Sequence, residues 1–391
     1  MIIAKLIILI SEIYLSSYVI YCTFLILIAV FFKKQYDMVD KPNTCFAIII
    51  PAHNEELFIK RLLDSISQQD YPKELVHTYV VADNCNDNTS TIAKNEDVRV
   101  LEREDKEFHG KGYAIKFALD KINFESIDAI FIIDADSYLD LDALKWLDIS
   151  IKNGSNAIQC FNGVINTSES WFTNIMDVSR TISNCLFEHA KEIIGLSSHL
   201  MGNGMCFQTS IVKEFGWDAF SVGEDWEFFA NLIYSGKKIS FQKKAKVYHQ
   251  ESRELKQATS QRMRWSSGRI LIAYKKGIQI FFTGIALRNF LMVDASLSLL
   301  FPNPSMAINL TLITLLVSLI FSIKSFILTA TILTFAQICF FLIGILYTQN
   351  KLQKLFAMIL SPIFLAWKLV IDILSLFGFG RKKWIRTKRS E

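Results

Sequence analysis

The sequence predicts an α/β domain set between apolar, membrane-crossing ends. Three observations carry this: an uncharged twenty-residue run near the N-terminus, two long apolar runs after residue 304, and a charged middle that alternates short apolar runs with helix-periodic stretches. The 391 residues allow two or three domains at roughly 100–200 residues each. A composition that is 51% hydrophobic, 20% charged and 13% aromatic excludes disorder, collagen and coiled coil. Lys+Arg number 42 against Asp+Glu 38, a spread-out net charge of +4 that gives no footprint for nucleic acid. The seven cysteines stand singly without a CxxC, so they imply neither a zinc site nor a disulfide framework and suit a reducing compartment.

Residues 1–42 form the first unit. Within it, residues 13–32 carry no charge and match the ~20 residues that a membrane-spanning helix needs. The run is too long for a signal-peptide core and no small-residue cleavage site follows it. Lys33 and Lys34 come next and place the downstream side in the cytoplasm. Residues 277–391 form the last unit. There, 305–323 and 325–350, parted by Lys324, read as a transmembrane hairpin (305–350) with a short outside turn. Residues 277–304 contain Arg288 and Asp294, and 355–380 contain Pro362, Lys368 and Asp372. A charge at the bilayer centre costs about 2.5–3.5 kcal/mol, so both stretches read as amphipathic helices at the cytoplasmic interface. The tail from Arg381 to Arg389, basic with Trp384, reads as an anchor to anionic membrane lipid. The expected protein is multi-pass in the cell membrane, with its middle domain and tail in the cytoplasm.

The middle unit, residues 43–276, opens with a buried strand over 46–50 that ends at Pro51. A helix follows over 55–68, spaced by Leu57, Ile59, Leu62, Leu63 and Ile66. Then come a strand at 78–82, a short helix at 89–95, a strand at 98–101, a helix at 112–121 and a strand at 129–133. This βαβ spacing predicts a mostly parallel sheet covered by helices, with ligands beyond the carboxyl ends of the strands. Polar clusters follow three of those strands, at 51–56, 83–88 and 134–137.

Each cluster has two readings. Asp134 and Asp136, spaced i, i+2 at a strand end, can share Mg²⁺ or Mn²⁺ and through it a diphosphate, or form a solvated acidic turn. Asp83 lies in an Asn/Asp-rich loop whose residues are ordinary turn formers. Glu224 and Asp225 after Gly223 are a helix start or hold a general base. Arg262, Arg264, Trp265 and Gln261 are a membrane-surface anchor or a clamp on phosphate with an indole for a sugar. Lys111, flanked by Gly110 and Gly112, touches phosphate or solvent. His53 and His249 lack zinc spacing; His249 stays open as a further metal ligand.

The motifs then stand in one order: PAHNEE (51–56), VVADNCNDNT (80–89), HGKGYA (109–114), DADS (134–137), GNGM (202–205), GED (223–225) and QRMRW (261–265), followed by apolar spans. This ordered set resembles the membrane-bound family 2 glycosyltransferases related to cellulose, hyaluronan, chitin and poly-N-acetylglucosamine synthases. The string from Trp367 through Thr387 looks like bacterial exopolysaccharide members. The resemblance implies a GT-A domain, a Rossmann-like sheet that binds a nucleotide sugar, inserted between N-terminal and C-terminal transmembrane helices. It implies that Ala52, His53 and Glu55 hold uridine, that Asp83 bonds uracil, and that Lys111 and Arg264 lie at the diphosphate. Asp134 and Asp136 would bind the ribose–diphosphate and the metal, Mg²⁺ or Mn²⁺. Gly204, Glu224, Gln261 and Trp265 would meet the acceptor, and Asp225 would be the catalytic base. The family often has Asp-Asp-Gly-Ser where this chain has Ala82-Asp83-Asn84-Cys85, and Thr-Glu-Asp where it has Gly223-Glu224-Asp225.

The implied function is an inverting, UDP-sugar-dependent hexosyltransferase. It would extend a polysaccharide or lipid-linked glycan at the cytoplasmic membrane face, alone or with an export partner, for an exopolysaccharide, capsule or cell-surface glycan. The other readings are transfer of one sugar to polyprenyl-phosphate or a glycolipid, and an inactive scaffold or channel subunit of an export machine.

Overall fold

A computed structural model of the chain describes residues 2–37 and 41–380. The basic tail after residue 380, expected to anchor to lipid, lies outside them. At the centre is one eight-stranded sheet made of β1 (Phe46–Ala52), β2 (Val76–Asp83), β3 (Arg99–Arg103), β4 (Ala129–Ile132), β5 (Ser137–Leu139), β6 (Ala157–Val164), β7 (Met205–Gln208) and β8 (Ser240–His249). The strands lie in the order β3-β2-β1-β4-β7-β6-β8-β5. The first four are parallel. The two inner ones, β1 and β4, are apolar along their length because both faces are covered. Ala47 and Ile49 pack on one side of the sheet, and Phe46, Ile48 and Ile50 on the other.

The expected mostly parallel sheet is instead mixed, although β6 and β8 also pair in parallel. β7 runs antiparallel between β4 and β6, and β5 pairs antiparallel with β8. Both are too short, at four and three residues, to show a period of two. β5 nevertheless matters for the site. The chain turns back directly after Asp134-Ala135-Asp136, so these residues sit at a bend between β4 and β5 rather than in a long loop.

Around the sheet the helices divide into two sets. Ile59–Ser67 and Ala143–Lys152 cover one face, while Lys111–Leu119 and Glu224–Tyr234 cover the other. A second body of helices stands beside the sheet. Ile2–Phe31 and Lys324–Leu346 each contain a stretch long and apolar enough to cross a membrane. Two bent pairs join them: Phe290–Leu300 with Pro304–Ile320, bent by 69°, and Lys351–Met358 with Ser361–Leu376, bent by 63°. The two arms of the expected hairpin are thus Pro304–Ile320 and Lys324–Leu346.

The helices that meet this body from the domain side are Trp171–Thr181 and its continuation, a wide π turn over Ile182–Glu188. Val178, Ile182 and Leu186 pack with Leu15, Val19, Cys22 and Phe340. At Gly344 a Cβ would stand 2.4 Å from Ile182 Cγ1, so glycine is what lets the two helices touch. Of the charges that made the last unit ambiguous, Asp294, Lys368 and Asp372 are paired inside the protein, while Arg288 is exposed. Asp294 is 3.3 Å from Lys191 and accepts from Tyr21 Oη at 2.6 Å, and Lys368 pairs with Asp372 one turn on.

Candidate active site

A cavity of about 1150 Å³ opens beyond the carboxyl ends of β1, β2 and β4 and runs on into the helical body. Its outer end is lined by Ala52, His53, Glu55, Asp83, Lys111, Asp134 and Asp136, its middle by Glu224, Asp225, Gln261, Arg264 and Trp265, and its inner arm by the helical body. Gly204 alone among the expected site residues does not line it. The Gly204 backbone is used in the sheet, donating to Ile132 O at 3.1 Å and accepting from Cys160 N at 2.8 Å. In that loop Met201 and Gly202 face the cavity instead.

The outer end is built from strand termini. His53 Nδ1 lies 2.7 Å from Asp83 O, closing β1 onto β2. Asp83 is buried and its Oδ1 accepts from Arg103 Nη1 at 2.6 Å. Arg103, on β3, was not singled out in the sequence. It is a neighbour of Asp83 only through β-pairing, and an Arg in a strand carries no motif. Asp134 N donates to Asn203 Oδ1 at 3.0 Å, and Gln159 Nε2 donates to Asn203 O at 2.8 Å. Those bonds tie the GNGM loop to the acidic bend. Arg61 Nη2 donates to Asp136 O at 2.7 Å and holds the other side of the bend.

Lys111 sits at the first turn of its helix, 2.5 Å from Asp134 Oδ1, 3.9 Å from Glu224 and bonded to Gly202 O. Burial opposes its charge, but Asp134 and Glu224 outweigh that and raise its pKa. Arg264 is half-buried alongside; its loss of water lowers its pKa, against the pull of Glu224, Asp134 and Asp225. The four carboxylates Asp134, Asp136, Glu224 and Asp225 thus face two cations, Lys111 and Arg264. Among the described residues no group of three or more His, Cys, Asp or Glu forms a ready-made metal cage. Mg²⁺ is held by one or two carboxylates plus phosphate oxygens and water. The acidic excess at Asp134 and Asp136 fits that half-site, completed by a diphosphate. His249 lies elsewhere, buried with Nδ1 at 2.9 Å from Asn162 Oδ1 and Nε2 at 3.6 Å from Glu251.

Asp225 is at the start of Glu224–Tyr234 with Gly223 as the residue before the helix, so it is not the cap itself. Its Oδ1 accepts from Trp226 N at 2.8 Å. Burial, and then the like charge of Glu224, push its carboxyl up to about 7. Gly202, at φ +79°, is the close neighbour of Asp225: a Cβ there would stand 3.3 Å from Oδ2. Trp226 is clamped between His199, stacked at 4.7 Å, and the Arg269 guanidinium at 5.4 Å. Its clamp fixes the turn that carries Asp225. The GED turn meets helix Leu255–Ile272 glycine to glycine, because a Cβ on Gly268 would be 2.9 Å from Gly223.

Helix Leu255–Ile272 carries Gln261, Arg264 and Trp265 into the cavity. Trp265 has a guanidinium near its ring from each of two residues: Arg262 at 4.7 Å and Arg180 at 5.8 Å. Arg262 is in turn held by Glu251 at 2.5 Å. Arg180, Arg269, Glu251, His199 and Glu188 were not anticipated from the sequence. They come from segments without motifs and join the site by packing alone.

The model of the glycosyltransferase-like family 2 matches residues 42–268 of this chain. The "Probable glycosyltransferase YdaM" of Bacillus subtilis (strain 168) is 25% identical over 259 residues, 64% of this chain and 60% of that protein. A dolichyl N-acetyl-alpha-D-glucosaminyl phosphate 3-beta-D-2,3-diacetamido-2,3-dideoxy-beta-D-glucuronosyltransferase of Methanococcus voltae is 30% identical over 212 residues, 49% of this chain and 63% of that protein. The match thus spans about three fifths of the length of these curated relatives. Among solved structures, the mannosyltransferase PcManGT from Pyrobaculum calidifontis, in complex with GDP-Man and Mn²⁺, superposes with a TM-score of 0.55 at 17% identity, covering 86% of this chain and 97% of that one. That likeness shows a shared GT-A-like fold.

Proposed function

The chain belongs to the glycosyltransferase-like family 2, and on that premise we propose that it moves a sugar from a UDP-sugar to a glycan acceptor at a membrane surface, with inversion at the anomeric carbon. The observation that carries this reading is Asp225. A carboxyl held at about 7 beside two half-buried cations is a base matched to neutral pH. Asp225 takes the proton of the acceptor hydroxyl as that oxygen attacks the anomeric carbon. The bond to the diphosphate breaks on the opposite face, and UDP leaves with its new charge against Lys111 and Arg264. A positioned base contributes ~10²–10⁴-fold. Asp134 and Asp136 would hold a divalent cation with the donor diphosphate, and such a cation supplies further positive charge to the leaving group.

Ala52, His53, Glu55 and Asp83 are the residues proposed for the uridine, and Glu224, Gln261 and Trp265 for the acceptor. The helical body suggests a multi-pass membrane protein with the sheet domain in the cytoplasm. A second reading, transfer to a polyprenyl-phosphate or glycolipid, is favoured by the extension of the cavity between the apolar helices. A panel of UDP-sugars scored for UDP release tests the function. Asp225→Asn is expected to bind UDP as the native protein does and to lose turnover at least 100-fold. Equal loss of UDP binding would make Asp225 a nucleotide ligand and sink its role as base.

A further inference from the structure

The two ends of the cavity differ in charge. The outer end is acidic, as described above. The inner arm carries Arg180, Lys191, Arg262, Arg269 and Lys368. Three of these have a carboxylate of their own: Lys191 has Asp294, Arg262 has Glu251 and Lys368 has Asp372. Glu188, also in the arm, is bonded to Ser198 and 2.9 Å from His199. That leaves two guanidiniums. Arg269 donates to the carbonyls of Ser298 and Phe301. Arg180 has no ion pair among the described residues, and its buried Nε has no hydrogen-bond partner. The charges that reach Arg180 are those of Arg262, which opposes it, and of Glu251 and Asp225. Glu251 is already tied to Arg262, and Asp225 lies next to Lys111. Burial, then Arg262, lower the Arg180 pKa to about 10. A half-buried guanidinium whose Nε is shut off from water, without its own counter-charge, is destabilising unless an anion completes it.

Arg180 also stands at a border. Toward the domain it has the ring of Trp265 at 5.8 Å. On its own helix, Ile175 and Met176 line the arm, and Leu25, Phe341 and Phe364 do so from the helical body. Arg180 is thus the cation of the arm left without a carboxylate or carbonyl partner among the described residues, and apolar side chains lie next to it; that pairing is the complement of an anionic head on a hydrocarbon tail. From this we infer that the acceptor carries a lipid-linked phosphate, bound by the Arg180 guanidinium beside Trp265, with its tail among the apolar helices. Guanidinium is suited to this ligand, because its planar fork pairs with two phosphate oxygens. The inference rests on the reading of the outer end as the UDP-sugar site and assigns the acceptor class of that same cavity.

The test uses the full-length chain in lipid nanodiscs with UDP at saturation, so that the donor site is occupied. Binding of farnesyl phosphate, farnesol and inorganic phosphate is measured for the native protein, for Arg180→Gln and for Arg180→Lys. Protection of Arg180 from phenylglyoxal is followed by peptide mass. Farnesyl phosphate is expected to bind at least tenfold tighter than farnesol, in line with a charged hydrogen bond of about 1.5–3 kcal/mol, and to protect Arg180. Arg180→Gln is expected to abolish that preference, and Arg180→Lys to keep part of it, with UDP affinity unchanged in both. Equal binding of farnesol and farnesyl phosphate by the native protein overturns the proposal without any variant. So does a phosphate preference that survives in a folded Arg180→Gln protein. Inorganic phosphate protecting as well as farnesyl phosphate would mean a free anion rather than a lipid head, and also overturns it. Failure of the native protein to bind UDP at all is a separate result, and refutes the donor reading instead.

Discussion

Asp225, half-buried, and Asp83, buried, are two carboxylates with opposite neighbours, and the neighbours decide what each can do. Asp225 faces Glu224, and the like charge adds to burial in raising its pKa to about 7. The base form therefore predominates only above that pH, and turnover is expected to fall about tenfold per pH unit below it. Glu224→Gln removes the like charge, so the acid limb of the kcat–pH profile should move to lower pH. A limb that stays in place would show that burial alone sets it. Asp83 instead has Arg103, with both side chains 8% exposed. Removing one member of a buried pair leaves the other uncompensated, at about 3–5 kcal/mol. Arg103→Ala is expected to destabilise the protein by that amount. The double variant with Asp83→Ala should recover a good part of it, as denaturant midpoints would show. Additive losses would mean that the pair is not coupled.

At the scale of elements, the site depends on how closely three pieces approach: the GNGM loop, the GED turn and helix Leu255–Ile272. Gly223 and Gly268 bring the last two into backbone contact. A side chain at Gly268 must push them apart, and overpacking of this kind costs about 1–3 kcal/mol. The larger effect is expected in catalysis, because a shift of about 1 Å in a catalytic group is worth ~10²-fold. Gly268→Val should therefore lower kcat by about two orders of magnitude at temperatures where circular dichroism shows a folded protein. Near-native kcat would show that the GED turn is positioned by other contacts, such as the His199–Trp226–Arg269 stack.

Across the whole molecule the cavity is a charge gradient, acidic at the strand ends and basic toward the helical body. A donor with a diphosphate meets four carboxylates and two cations, so it needs extra positive charge to settle there. Full activity is expected to require Mg²⁺ or Mn²⁺, to vanish in excess chelator and to return on addition of either ion. Activity that survives chelation would show that Lys111 and Arg264 suffice. The paired charges Lys191–Asp294 and Lys368–Asp372 belong to this scale too. They let charged segments pack inside a mostly apolar body, where an unpaired charge would be expelled.

The sequence alone was enough to read the apolar helices toward both ends, the parallel strands β1 to β4 and the line of motifs from His53 to Trp265. Each of these is local: hydrophobic runs report burial, and a polar cluster after a strand reports the strand's carboxyl end. The short antiparallel strands β5 and β7 were not legible, since three or four residues are too few to carry a period. Gly204 reads like Gly202 in a string, and only the pairing of β7 with β4 turned one into the sheet and left the other beside Asp225. Arg103, Arg180, Glu251 and Arg269 have no local signature at all. Their roles arise from segments far apart in the chain being packed into one low-dielectric cavity, where which charge lies beside which decides the energy, and that adjacency is set by tertiary structure alone.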